Sequence, residues 1–528
     1  MNKYFKYTFA LALPMVVLSS CDDYLDTMPD NRATVDSELK IKSMLVSAYP
    51  TAEYASVCEL SSDNCDDSGP QNPYTDRWLD DTFAWKDESE SSNFSLDSYW
   101  EKSYGAIASA NQALDAIEQL GGEKASVTLA ELKGEALMCR AYNHFMLANL
   151  FCKNWSSNAA SDLGLPYMDH SETELLPKYE RGNLADFYDK IQTDIEEGVE
   201  LVGDSYYDVP KYHFTPKAAY AFATRFYLYT EQWDKAIDAA NKCLGSQPQT
   251  LLRDWSIFIS FSPDADNLRQ NAYISTTEDA NLLITTAYSN LGWMFGRWYV
   301  GTRYNHLSAT AAEDLLATNV FGSLKTGLVS RYSGTNFNKV LIVKNPYLFE
   351  YTDPAAGIGY RHAVVVNFTV EEVLLSRAEA YIMTNRFDEA AADLTLWARN
   401  IANSMSSDLT PASITNFYNR YDYAYSDASG LNSSIKKHLN PAFAIDVEGS
   451  TQECMLQCVL GFRRIESMHN GLRWFDIKRY GIEIPRRVCN AAGNPAEVTD
   501  VLTKDDLRRA FQIPQKVRDA ELAPNPRS

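Results

Sequence analysis

The sequence predicts a mostly α-helical protein in which divergent helix-pair repeats form a scaffold under an irregular, loop-rich layer with few short strands. Three observations support this fold class. The 528 residues are 45% hydrophobic and 12% aromatic, so the chain has enough apolar side chains for a large core. Long segments carry apolar residues at helical spacing, and one helix-turn-helix pattern occurs twice. The segments between them are aromatic, rich in glycine and asparagine, and lack that spacing.

Start and stop signals bound the helical stretches. From residue 97, apolar side chains recur every three to four positions until Gly121 and Gly122, where the sequence predicts a helix end. Thr215 and Pro216 suit the N-cap and first position of another helix. Thr369 with Glu372 predicts a capping box. The predicted scaffold helices lie within residues 97–152, 184–244 and 366–401.

An internal repeat links two of these stretches. Residues 226–236 align without a gap with residues 380–390, although the copies are 154 residues apart. Each copy has a helix, a short turn, and then an aromatic residue followed by Asp, one variable residue and Ala. This pattern is similar to the tetratricopeptide unit, in which a small alanine lets paired helices approach. Because of the separation, we expect a scaffold interrupted by other structure rather than a continuous array.

We expect residues 35–528 to form a single domain. The loop-rich layer is predicted at residues 50–96, 245–365 and 402–460, and residues 461–528 form a C-terminal segment. Loops held by a rigid scaffold are where binding residues usually lie. The sequence therefore predicts the ligand site in the loop-rich layer.

Charge and composition exclude several classes of protein. The formal net charge is −22, from 48 basic and 70 acidic side chains, and no basic cluster is present that would neutralise a nucleic-acid backbone. The same charge disfavours binding to anionic lipid surfaces. The 24 glycines and 20 prolines are ordinary numbers, which excludes a collagen-like or wholly disordered chain.

The first 20 residues predict an export signal that is removed. Lys3 and Lys6 precede a short apolar run, which is too short to span a bilayer, and the run ends at Leu18-Ser-Ser-Cys21. This ending is typical of a bacterial lipobox, so we expect Cys21 to carry the lipid and residues 21–34 to form a lipidated tether. The alternative is an ordinary secretion signal that contains a cysteine.

Cysteines and acidic residues beyond the tether suggest no metal or cofactor. Cys58 and Cys65 flank a polar loop and could form a disulfide in an envelope compartment. Asp63, Asp66 and Asp67 lie within and just after that loop, but Ser68 stands where a calcium-binding EF-hand loop has glycine, so we expect a solvated acidic loop. Arg486 and Arg487, which are adjacent in the sequence, are likewise expected to be a solvated pair.

Ordered motifs along nearly the whole chain resemble one family. They are Cys21-Asp-Asp-Tyr-Leu-Asp26, Ser62-Asp-Asn64, Tyr104-Gly-Ala-Ile107, Asn111-Gln-Ala-Leu114, Glu371–Ala380, Gly471–Arg479, Phe511-Gln-Ile-Pro514 and Asn525-Pro526. Each is weak alone, but their order is typical of the SusD/RagB family of nutrient-binding outer-membrane lipoproteins. The family usually has Glu where this chain has Phe462 and Asn470, so local salt bridges are not expected there.

The resemblance implies a lipid-anchored protein on the outer membrane, facing the cell exterior. Such proteins bind an oligosaccharide and hand it to a TonB-dependent transporter barrel, and some members handle peptides. No catalysis, cofactor or nucleic-acid partner is implied. A peptide-binding uptake protein and a helical-repeat scaffold without a small ligand remain alternatives.

In the family, ligand contacts come from the loop before the first long helix and from loops after the middle repeat. Aromatic side chains cover the apolar faces of sugar rings, and Asp, Asn and Arg hydrogen-bond their hydroxyls. The candidate ligand-binding residues are Tyr74, Arg77, Trp78, Asp80, Trp293, Arg297, Trp298, Tyr299 and Tyr304. The glycine-rich aromatic run at 292–301 is the strongest candidate segment.

Three short motifs match those of a class of serine enzymes, but their spacing argues against that activity. Ser37-Glu-Leu-Lys40, Ser62-Asp-Asn64 and Lys325-Thr-Gly327 match the three motifs of penicillin-binding proteins in order. Only 25 residues separate the two serines, which leaves little room for the helical subdomain that this chemistry needs. Pairs of carboxylates at glycosidase spacing are expected by chance among 70 acids. We therefore expect a binding protein.

Overall fold

Helices dominate the described part of the chain, and strands occur mainly in its middle and near its end. The computed structural model describes residues 35–70, 72, 74–174, 177–265, 267–296, 303–334, 337–427 and 429–527. The helices described are α1 Glu38–Leu45, α2 Ala55–Ser61, α3 Arg77–Phe83, α4 Leu96–Gln119, α5 Val127–Phe151, α6 Leu184–Leu201, α7 Pro216–Tyr229, α8 Trp233–Leu244, α9 Trp255–Ser260, α10 Leu268–Tyr273, α11 Leu291–Met294, α12 Ser308–Ala311, α13 Val370–Met383, α14 Phe387–Ile401, α15 Pro411–Tyr418, α16 Thr451–Glu466, α17 Leu472–Arg479 and α18 Gln515–Asp519.

Within the described ranges the strands form three small sheets. They are β1 Asp66–Asp67, β2 Asn281–Tyr288, β3 Tyr304–Asn305, β4 Ser330–Gly334, β5 Phe337–Leu341, β6 Leu348–Asp353, β7 Ile358–Thr369, β8 Ile484–Cys489 and β9 Pro495–Leu502. One sheet has the order β3-β1-β8-β9, a second has β2-β7-β6, and β4 pairs with β5. The predicted mostly α-helical fold with few short strands is confirmed.

Local sequence signals bound the scaffold helices as expected. α4 ends just before Gly121 and Gly122, which have φ angles of 106° and 73°. The Thr215 side chain accepts a hydrogen bond from the Ala218 amide at the start of α7. At α13 only half of the predicted capping box forms, because the Thr369 hydroxyl accepts from the Glu372 amide while the Glu372 carboxylate pairs with a buried arginine instead.

The two sequence repeats have the same hydrogen bonds. Thr230 and Thr384 each donate from the hydroxyl to the carbonyl four residues earlier, at 2.9 Å. The next residues, Glu231 and Asn385, both have left-handed backbone, with φ near 60°. The aromatic residue then begins the second helix of each pair, and its alanine is fully buried. The tetratricopeptide-like helix pairs predicted from the sequence are confirmed at α7–α8 and α13–α14.

Charged side chains join the helices inside the scaffold. Arg140 of α5 makes two 2.7 Å hydrogen bonds to Asp194 of α6 and a third bond to Asn111 of α4. Arg377 of α13 forms the same arrangement with Asp393 of α14. Its third partner is also an asparagine, Asn241 of α8. Paired guanidinium–carboxylate bonds of this kind fix orientation as well as contributing energy.

A continuous apolar core extends from Ile41 to Leu522. Cys58 and Cys65 are both buried in it and are both free, so the disulfide considered from the sequence does not form. Among the helices in the described ranges, none is long and apolar enough to cross a membrane.

Candidate functional site

The loop before α4 contacts the segment that follows the glycine-rich run. The Tyr304 hydroxyl donates a 2.5 Å hydrogen bond to Asp80, and the Tyr304 ring stacks on Phe83 with centroids 4.1 Å apart. Burial, with the hydrogen bond to Asp80, raises the pKa of Tyr304 well above its usual value, so the phenol stays a donor. Two regions that were predicted to hold ligand residues therefore meet, although 224 residues separate these two positions.

Arg303 joins the same two regions through its side chain and its backbone. Its Nε and Nη2 each donate a 2.7 Å hydrogen bond to the carboxylate of Asp67, which raises the pKa of the guanidinium. Its backbone amide donates to the carbonyl of Tyr74 at 2.7 Å, and its carbonyl accepts from the Ser68 amide at 3.0 Å. Arg303 was not among the predicted residues, because its partners are distant in sequence.

The predicted residues of the first loop differ in their exposure to solvent. Tyr74 is 55% exposed and Arg77 is also exposed, with its Nε donating to Ser89 at 2.8 Å. Trp78 is only 3% exposed because α3 directs its ring into the core, so the structure leaves it no open face for stacking. Tyr304, at 5% exposure, has one ring face on Phe83 and also lacks an open surface for a sugar.

Trp293 lies in the short helix α11 and is half-buried. The guanidinium of Arg361, on β7, lies 4.6 Å from the centroid of its ring, a cation–π contact. Helix α11 packs closely on the chain below it, since a Cβ at Gly292 would lie 2.1 Å from the carbonyl oxygen of Pro346. Predicted residues Arg297, Trp298 and Tyr299 lie outside the described residues, as does Cys21.

Lys339 holds the start of the glycine-rich run. Its Nζ donates to the carbonyls of Met294 and Gly296, at 3.3 and 3.1 Å. Burial lowers the pKa of Lys339 to about 7. The aromatic pattern of the run was readable from the sequence, but this lysine is on β5 and no local signal connects the two.

The acidic loop is buried, which corrects the expectation of a solvated loop. Asp63 makes two 2.8 Å hydrogen bonds to Arg473, and Asp66 accepts from Arg487 at 3.0 and 2.7 Å. Together with Asp67, these side chains are between 3% and 5% exposed. The carboxylates face guanidinium groups, which neutralise them where water is excluded.

Arg486 and Arg487 are also buried, not solvated. Arg486 donates to the carbonyls of Leu60, Ser61 and Ser62, at 2.9 Å each, and its guanidinium lies 3.8 Å from the centroid of a Trp85 ring. Burial lowers the pKa of Arg486 to about 9. Arg486 thus connects the end of α2 to β8, and Arg487 connects Asp66 of β1 to the same strand.

Glu313 is the centre of this buried charge network. It pairs with Lys437, with Arg464 at 3.3 Å and with Arg487 at 3.0 Å. Burial alone would raise the pKa of Glu313, but the three cations lower it to about 2. Because Arg487 also binds Asp66, next to Asp67, the network extends from the core to Arg303 at the ligand loops.

The residues of the penicillin-binding motifs have other partners. Lys40 forms an exposed ion pair with Asp36, and the Ser62 hydroxyl donates to the carbonyl of Glu59. Lys325 contacts the backbone carbonyl of Asn400. Each side chain thus takes part in local structure.

Comparisons with known proteins agree with the fold. Residues 23–228 match a family model of SusD-like proteins described as starch-binding and associating with the outer membrane. SusD-like protein P2 of Formosa agariphila is 22% identical over 457 residues, which cover 82% of this chain and 80% of that protein.

Solved structures of SusD-like proteins extend the likeness in fold to nearly the full length. A SusD superfamily protein from Bacteroides vulgatus is 18% identical with a TM-score of 0.60, covering 92% of this chain and 97% of that one. A laminarin-binding SusD-like protein is 16% identical with a TM-score of 0.55, covering 93% and 99%. At such identities these structures establish the shared fold. The family model over residues 23–228 agrees with the resemblance that the sequence motifs indicated, and the chain is similar to the SusD-like proteins in sequence and in fold.

Proposed function

We propose that this protein binds oligosaccharides outside the cell and delivers them, chemically unchanged, to a TonB-dependent outer-membrane transporter. Its lipid on Cys21 and the tether 21–34 would hold residues 35–528, acting as a single unit, at the membrane. The family description and the relative that binds laminarin support a glycan as the ligand.

One observation carries the ligand assignment. Arg303, in the segment that follows the glycine-rich run, forms hydrogen bonds with Tyr74 and Asp67. These bonds bring the two predicted ligand regions together as one surface. On that surface Tyr74 has an exposed aromatic ring, and Arg77 beside it offers unused N–H donors. Aromatic faces with polar donors at their edges are what a sugar ring requires.

The buried neighbours give the surface its shape. Tyr304 and Trp78 pack beneath the loop, and Asp80 accepts hydrogen bonds from Tyr304 and from Thr75 at 2.7 Å. We infer that these three residues position Tyr74 rather than contact the glycan. Trp293, Arg297, Trp298 and Tyr299 would extend the contact along the glycine-rich run.

Binding to soluble polysaccharides tests this proposal. Residues 22–528 are titrated with starch, laminarin, xylan and polygalacturonate, and Tyr74→Ala is compared with Tyr212→Ala, an exposed tyrosine on the scaffold. We expect binding to one glycan class, at least tenfold weaker in Tyr74→Ala and unchanged in Tyr212→Ala. If no glycan binds but peptides do, the peptide alternative replaces the proposal.

A further inference from the structure

The hairpin β6–β7 places a second aromatic pair beside Trp293. In its antiparallel register Phe349 lies opposite Arg361, and Tyr351 lies opposite Gly359, so these side chains share one face of the hairpin. The Phe349 and Tyr351 rings have centroids 4.9 Å apart. Gly359 makes room for them, since a Cβ there would lie 2.8 Å from the Phe349 ring.

This face is open to solvent. Tyr351 is 58% exposed, and Arg361 and Phe349 are half-buried. Because Arg361 contacts the Trp293 ring, the hairpin face is continuous with the predicted ligand run at α11. No aromatic cluster was predicted here, because the two rings alternate with polar residues along β6.

Arg361 has a neutral side-chain partner, unlike Arg303. Its Nη1 donates to the side-chain oxygen of Asn290 at 2.9 Å, and among the described residues no carboxylate oxygen lies within ion-pair distance. Arg303, in contrast, donates hydrogen bonds from both Nε and Nη2 to the carboxylate of Asp67. The undescribed segment 297–302 contains no acidic residue.

Two acids close to Arg361 or to its contacts are directed elsewhere. Glu350 follows Phe349 in the strand, so its side chain is on the opposite face of the hairpin. Glu53 lies near Ser289 and is buried, and its carboxylate accepts hydrogen bonds from Ser289 and Ser56. The Arg361 guanidinium therefore retains N–H donors in a partly desolvated position on a chain of net charge −22.

We propose that Arg361 binds an acidic group of the glycan, a carboxylate or a sulfate ester, while Tyr351 and Phe349 cover the neighbouring sugar ring. Guanidinium matches both anions with two parallel hydrogen bonds. This inference rests on the proposed function and adds a ligand class to it: the ligand is an acidic polysaccharide.

Matched pairs of polysaccharides test the inference and distinguish the two anions. Polygalacturonate is compared with its carboxyl-reduced form, and a sulfated galactan with its desulfated form, at two salt concentrations. We expect the protein to bind one charged member at least tenfold more tightly than its neutral counterpart, and less tightly at high salt. Arg361→Gln abolishes this preference and Arg361→Lys retains part of it.

Control variants separate a local effect from a general one. Arg331→Gln removes an exposed arginine from another sheet and leaves the preference unchanged. Tyr351→Ala weakens binding of both members of a pair. Equal binding of charged and neutral members, or a preference that survives in Arg361→Gln, overturns the inference. If a neutral glycan binds and Tyr74→Ala removes that binding, the inference fails while the proposed function stands.

Discussion

Arg303 and Asp67 are 236 residues apart in sequence, and two 2.7 Å hydrogen bonds join their side chains. The pair fixes the loop of Tyr74 against the segment of Tyr304. It also lies at the outer edge of the buried charge network around Glu313. The geometry of the proposed glycan surface therefore depends on ion pairs in the interior.

Asp67→Asn tests this dependence. The change removes the charge that holds Arg303, and we expect the free energy of unfolding to fall by about 1 kcal/mol, since the arginine is partly exposed. The free energy of glycan binding should weaken by more than the free energy of unfolding falls, because the Tyr74 loop is no longer held in place. Urea unfolding and glycan titration of the same variant measure the two effects. Unchanged affinity would show that the pair does not position the loop.

Glu313→Gln should lower the free energy of unfolding far more than Asp67→Asn does. It leaves Lys437, Arg464 and Arg487 buried with less compensating charge, which costs about 3–5 kcal/mol in comparable buried pairs. Glu389→Gln, at an exposed pair with Arg386, is the control and should cost less than about 1 kcal/mol. Chemical unfolding compares them. Similar losses in the two variants would contradict the network.

Acid should destabilise the protein in a defined range. The pKa values of Glu313 and Glu379 fall from 4.5 to about 2 on folding, because nearby cations outweigh the effect of burial. Their contribution is complete above pH 4.5 and disappears as the pH falls towards 2. Unfolding midpoints measured from pH 6 to pH 2.5 should fall most steeply below pH 4.5. The fall should be shallower in a Glu313→Gln variant that remains folded at pH 6, and an equally steep fall there would contradict the assignment.

The repeat turns allow a reciprocal exchange. Glu231 and Asn385 occupy equivalent left-handed positions, and asparagine tolerates that conformation better than glutamate. Glu231→Asn should stabilise the protein by about 0.5 kcal/mol and Asn385→Glu should destabilise it by a similar amount. Thermal melting of both variants checks the signs. The same sign in both would mean that side-chain contacts, not backbone conformation, decide stability at these turns.

Local chemistry explains why much of the scaffold was predictable. Helix ends at Gly121 and Thr215, and the turn shared by the repeats, depend on residues within one or two turns of each other. The capping box predicted at Thr369 forms only in part, because the Glu372 carboxylate accepts hydrogen bonds from Arg225, 147 residues away.

The site was less predictable because its partners are distant. Asp63 and Arg473 are 410 residues apart, so each resembles a solvated surface charge in the sequence. Aromatic composition predicted which loops hold the site, but which of their rings are exposed depends on packing: Tyr74 is exposed whereas Trp78 is buried. Arg361 was missed because only strand pairing and helix α11 bring it to Trp293.

Calorimetric titration of residues 22–528 with a glycan from the panel, beside Tyr74→Ala, Trp293→Ala and Tyr212→Ala, tests the central claim most directly. The account predicts measurable binding that falls at least tenfold in the first two variants and is retained in Tyr212→Ala. Glycan binding that survives both Tyr74→Ala and Trp293→Ala would contradict it and place the ligand elsewhere on the protein.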